Sequence, residues 1–122
     1  MPTYTPPKTL GDLLLVEVAP GWTKEKALLA MGAAYPLGTV LAKVSGKCQA
    51  LDLAGTGAAK KAVAVLGESV DATAADTPGV VIARGAVVEL VELHWPAGVT
   101  DVQKATALDE LNALGIVARA AL

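Results

Sequence analysis

The chain has 122 residues, 53% of them hydrophobic, with no Phe, two Trp, two Tyr and a formal net charge of −2. That length suits one domain with one modest core, and its apolar runs fall well short of the roughly 18–20 residues of a membrane span. The start lacks the charged-then-apolar order of a secretory signal, the ten Lys and Arg are scattered rather than striped as nucleic acid requires, and Cys48 alone makes neither an internal disulfide nor a zinc site.

Residues 1–12, MPTYTPPKTLGD, carry three prolines and few apolar anchors, and Pro6–Pro7 favours an extended conformation. They read as a flexible N-terminal arm, with residues 13–122 as a single β-rich domain. Leu13–Trp22 reads as a short strand followed by a Pro-Gly turn. Thr23–Gly32, TKEKALLAMG, is ambiguous: its residues have good helix propensity, but the piece is short and strands flank it.

Pro36–Lys47 reads as a half-buried strand, with Val40, Ala42 and Val44 on one side and Thr39, Leu41, Lys43 and Ser45 on the other. CQALD is its return strand. Leu53–Lys61 is a flexible loop by composition. Ala62–Ala72 reads as one buried strand, then TAADTPG as a polar loop. Val80–Trp95 reads as two strands around Arg84–Gly85, or one long bent strand. Apolar residues on both of its faces suggest cover by the core and by a neighbouring subunit.

The C-terminal helix is the firmest element. Thr100 is an N-cap, and Gln103 completes a capping box. Val102, Ala105, Leu108 and Leu111 repeat at helical spacing, with Leu114 next in register. Gly115 stands where a left-handed C′ residue is wanted, and Ile116 is placed to touch Leu111. IVARA returns as a last short strand.

Chemistry is harder to find. His94 is the only histidine, has no nucleophile signature near it, and reads as structural or surface. Cys48 reads as a small core residue, since nothing nearby would activate a thiolate. GTGAAKK and SGKCQ lack the spacing of a phosphate-binding loop and read as turns. Asp71 and Asp76 lack a calcium-loop pattern and read as turn formers. Glu89 and Glu92, three apart on a regular strand, face opposite ways. No catalytic, metal-binding or cofactor-binding residue emerges. An apolar mass made of Ala, Val and Leu gives a thin core, which favours shared subunit surface.

The order of the pieces resembles the lambda-type bacteriophage head decoration protein family over residues 13–118. The resemblance rests on Gly38–Leu41 (GTVL), the Val-Asp-Ala segment before a variable loop, the Val-rich strand with Arg84–Gly85, Trp95–Pro96 before a capped helix, and the Leu-Gly-Ile ending. It implies a mainly β fold with one C-terminal α-helix, a compact β-clip or β-tulip-like domain, with the segment at Lys24–Gly32 extended. It also implies no enzymatic activity and no cofactor. The implied role is a homotrimer on the outside of the expanded icosahedral head, at local three-fold sites, cementing the major capsid protein. The chain would be a late virion protein made in the host cytoplasm, with no nucleic-acid or membrane partner. The arm, with Thr3, Tyr4, Thr5, Pro6, Pro7 and Leu10, becomes the candidate capsid-binding segment. Trp22, Trp95 and Pro96 become candidate trimer contacts, with core anchoring the alternative for the two tryptophans. The rival reading is a small β-rich carrier or enzyme domain with a modified lysine, for which Lys43 and Lys47 flank a hairpin-like turn.

Overall fold

The computed structural model describes residues 13–52 and 57–119. In chain order the elements are β1 (Leu14–Glu17), a single helical turn α1 (Pro20–Thr23), β2 (Lys24–Leu29), β3 (Ala34–Tyr35), β4 (Val40–Val44) and β5 (Lys47–Ala50). A 3-10 turn (Gly57–Lys60), β6 (Ala64–Leu66), β7 (Val70–Asp71), β8 (Thr77–Ile82) and β9 (Ala86–Glu89) follow. A second 3-10 turn (Leu90–Glu92), α2 (Asp101–Ala113) and β10 (Ile116–Arg119) complete the described chain. The fold is mainly β with one C-terminal helix, as the sequence implies.

Strands β2, β5, β4, β6 and β8 close into a barrel, with β1–β9–β10 as a separate three-stranded sheet and β3–β7 as a two-stranded ribbon. Lys24–Leu29 has helix-forming residues, yet it is β2. Its six residues pair antiparallel with Thr77–Ile82, and that tertiary pairing overrides local propensity. Ser45 and Gly46 take φ of 53° and 81°, the left-handed pair of a two-residue hairpin turn, and bring β4 back onto β5. Thr23 is buried and its hydroxyl donates to the Gly85 carbonyl at 3.1 Å, which fixes the entry into β2.

Two apolar clusters share the barrel wall. Leu29, Leu41, Cys48, Ala64, Leu66 and Val81 come from all five barrel strands and fill its interior, with Tyr35, Val70 and Ala72 in the same cluster. Val40, Ala42, Val65 and Ile82 point the other way, onto Ala86, Val88, Ala107, Leu111, Ile116 and Leu13. Full burial of a Leu or Val side chain contributes about 1.5–3 kcal/mol.

Several expectations need correction. β4 is not half-buried: Val40, Leu41 and Ala42 are all fully buried, because the barrel interior covers one face and the second cluster the other. At the end of β8 the chain's own two clusters likewise cover both faces, Val81 turning into the barrel and Ile82 out, while Pro78 stays exposed and Val80 half-buried. Ala62–Ala72 is two strands, β6 and β7, which belong to different sheets. Thr77, Pro78 and Gly79 lie in β8 rather than in a loop. Pro78 is tolerated because β6 pairs only with Val81 and Ile82, leaving that half of β8 free of its second neighbour. Val80–Trp95 is indeed two strands, split at Arg84–Gly85, and they enter separate sheets. Residues 57–60 form a 3-10 turn, while 53–56 lie outside the described residues.

The helix has its capping box, with Gln103 N donating to Thr100 Oγ1 at 3.2 Å and Thr100 N donating to Gln103 Oε1 at 2.9 Å. Its buried face is turned from the expected stripe. Ala107 and Leu111 are buried, with Leu108 packed beside them, whereas Val102 is 76% exposed and Leu114 41%. The small Ala107 lets the helix approach the barrel closely. Gly115 takes φ +81° as C′, and Ile116 joins Leu111 in the same cluster.

Candidate functional site

The groups with the chemistry for catalysis sit in structural positions. Cys48 lies inside the barrel, where burial pushes its thiol pKa up despite Lys43 nearby, so the nucleophilic thiolate is disfavoured. His94 is exposed on its side chain, and its backbone bridges Thr39, donating to the Gly38 carbonyl at 2.8 Å. Tyr35 donates to the Ala30 carbonyl at 2.7 Å, and burial raises its pKa, with Asp76 and Cys48 adding to the shift. Among the described residues no three of His, Cys, Asp and Glu are grouped to hold a metal ion.

The two loop aspartates divide. Asp71 is a turn former as expected: Oδ1 accepts from the Thr73 hydroxyl at 2.7 Å and from its N–H at 3.1 Å, and these bonds lower its pKa. Asp76 is instead a tertiary brace. It pairs with Lys47 at 2.6 Å and accepts from Met31 N at 2.8 Å, and Lys47 is the first cause of its lowered pKa. Lys47, one of the two hairpin lysines, is therefore engaged. Glu89 is buried at the end of β9, while Glu92 has left the strand for a 3-10 turn, so regular strand alternation does not relate the two.

A cleft of about 950 Å³ opens where Cys48, Ala64 and Val81 of the barrel face Trp22, Arg84 and Asp109. Its charged lining is mixed: Glu25 Oε2 accepts from Arg84 at 3.0 Å, and the Arg84 guanidinium stands 5.9 Å from the Trp22 ring centre. Arg84 thus braces the Trp22 carbonyl and Glu25 within the chain from a partly exposed position. The buried thiol of Cys48 and the Arg84–Glu25 pair share this lining with Lys26, Lys43, Lys61, Asp109 and Glu110.

The candidate contact residues fall in three places. Trp22 is 51% exposed and its ring edge abuts Gly85, where a Cβ would meet Cζ3 at 2.2 Å. Trp95 is half-buried and packs against the outer cluster, beside a shallow groove of about 480 Å³ lined also by Leu90, Val91, Leu93, Lys104 and Leu108. Pro96 follows it, half-buried. The structure does not bring Trp22 and Trp95 into one lining. Thr3, Tyr4, Thr5, Pro6, Pro7 and Leu10 lie outside the described residues.

Sequence reasoning missed a third apolar surface. In the β1–β9–β10 sheet, Ala86, Val88 and Ile116 face the core, while register sets Val16 and Val117 beside Val87 on the opposite face. Val16 is 45% exposed and Val117 40%. The signal available was the lack of polar alternation in LLLVEV, AVVEL and IVARA, which the sequence reading attributed to cover from a neighbour in only one of the three.

No match was found among curated proteins. The family model described as bacteriophage lambda head decoration protein D matches residues 3–116. That span takes in the GTVL element, the barrel, all strands from β1 to β9 and the capped helix, and it reaches the first residue of β10. The chain belongs to the bacteriophage lambda head decoration protein family, a structural family of the phage capsid and not one of enzymes.

Proposed function

We propose that this decoration protein binds the outside of the expanded head as a homotrimer at local three-fold sites and stabilises the shell by clamping adjoining copies of the major capsid protein. The observation that carries the proposal is the surplus of exposed large apolar side chains, among them Val18 at 66%, Trp22 at 51% and Val91 at 77%. A family of capsid proteins with so much uncovered apolar surface acts through contact. Trp22, Trp95 and Pro96 are the proposed trimer contacts.

Residues 1–12 are the proposed capsid-binding arm, with Thr3, Tyr4, Thr5, Pro6, Pro7 and Leu10 as contacts. Extended peptides dock by adding a strand to a sheet edge, where main-chain hydrogen bonds supply affinity. Twelve extended residues span at most ~40 Å, enough to cross a seam between capsomers. Ordering costs each arm ~1–2 kcal/mol per fixed residue. Three arms on one trimer offset this through high effective concentration once the first has engaged. Stabilisation then follows by mass action, because a ligand of the assembled shell shifts the equilibrium towards assembly.

Deleting residues 2–12 and measuring occupancy on expanded, undecorated heads tests the arm. Occupancy should fall steeply, and unchanged occupancy removes the arm from the mechanism. A monomeric mass both in solution and on the shell would remove the trimer.

A further inference from the structure

We infer that the outer face of the β1–β9–β10 sheet is a seat for the major capsid protein, continuous with the attachment of the arm; this rests on the decoration reading above. Val16, Val87 and Val117 form a row across the three strands, one residue from each. Val18 lies two residues beyond Val16 and is 66% exposed. The opposite face of the sheet is closed by the outer cluster through Ala86, Val88 and Ile116. Val16 and Val117, at the two ends of the row, are 45% and 40% exposed, with Val87 half-buried between them, so the row is an apolar strip with no cover at its ends among the described residues.

The occupant follows from chain connectivity. The strand order places β1 at an edge of the sheet. Residues 1–12 lead into it, and only Leu13, Leu14 and Leu15 separate Asp12 from Val16. Four residue steps span at most ~14 Å. A partner gripped by the arm is therefore held within reach of the valine row. Beyond Val117 on the same face stands the exposed Arg119, two residues on, which borders the row with charge.

The test is the full-length double variant Val16→Asp/Val117→Asp, titrated onto expanded, undecorated heads beside the wild type and the arm deletion. The half-saturating concentration should rise at least tenfold, with solution mass and circular dichroism unchanged. Wild-type affinity in this variant overturns the seat, and it leaves decoration intact so long as the wild type binds heads. A changed oligomeric mass with unchanged head binding assigns the face to a second copy and also overturns it. Should the double variant fail to fold, Val117→Cys alkylation decides. The native Cys48 is buried and weakly reactive, so the new thiol should label in the free protein and be protected at least fivefold on heads. Equal labelling in both states, or protection already present in solution, overturns the inference.

Discussion

Replacing Gly38 by Ala should be among the most damaging single changes in this chain, although it adds one methyl group. Gly38 takes φ +89°, a region that costs an L-residue about 1–2 kcal/mol. A Cβ there would stand 2.2 Å from the carbonyl oxygen of Glu92 and 3.2 Å from its carbon. Neither side of that contact can yield easily. Gly38 N donates to Leu66 O at 2.9 Å, and His94 N donates to Gly38 O at 2.8 Å, so the backbone is held from both sides. Forced overpacking costs about 1–3 kcal/mol. The total is about 2–5 kcal/mol, a large share of the roughly 5–15 kcal/mol by which domains are stable. Two other glycines calibrate the reasoning. Gly46 has φ +81° with nothing within 4 Å of its added Cβ, so Gly46→Ala should cost only the conformational part, about 1–2 kcal/mol. Gly85 would strike the Trp22 ring, but that ring is half-exposed and can swing aside, so Gly85→Ala should fall between. Urea unfolding at equilibrium measures all three, read as midpoint shifts at constant slope. A Gly38 variant no less stable than the Gly46 variant would refute the claim that the Glu92 carbonyl sets the requirement.

Thr100→Ala should lose about 1 kcal/mol from the capped helix, seen as an earlier urea midpoint, because it removes the acceptor for Gln103 N. Asp76 has a lowered pKa, so its stabilisation is present above the ordinary carboxylate value of about 3.9 and is lost as pH falls through the lower folded value. Asp76→Asn should accordingly flatten the fall of Tm below about pH 4, while Thr73-bonded Asp71 keeps its own share of that fall.

What the sequence revealed was local, and what it hid was pairing. The capping box spans four residues, and the hairpin at Ser45–Gly46 spans two, so short-range chemistry announces both. Barrel closure joins Lys24 to Ile82, a partner no nearby residue can signal. The helix stripe was misassigned for the same reason: which side of α2 is covered depends on where the barrel wall lies, and the wall meets Ala107 and Leu111 rather than Val102. The GTVL signature was legible as a pattern, and the structure supplies its cause in the backbone approach at Gly38. The tryptophans were singled out by residue type alone, whereas the valine row needs the register of three strands distant in sequence.

A chain of Ala, Val and Leu has little area per side chain to bury, and this fold answers by burying both faces of the same wall. Leu41 turns into the barrel while Val40 and Ala42 turn out; Val81 turns in while Ile82 turns out. Strands β4, β6 and β8 thus each serve two clusters, whose buried members are almost all aliphatic, with Tyr35 the aromatic exception. Gly79 shows how tightly the interior is filled, since an added Cβ would lie 2.7 Å from Val70 and 3.0 Å from Leu29. The sheet β1–β9–β10 has one face in the outer cluster and on the other a valine row whose ends, Val16 and Val117, are 45% and 40% exposed. On the seat inferred above, the barrel residues make the fold and the valine row serves the neighbour.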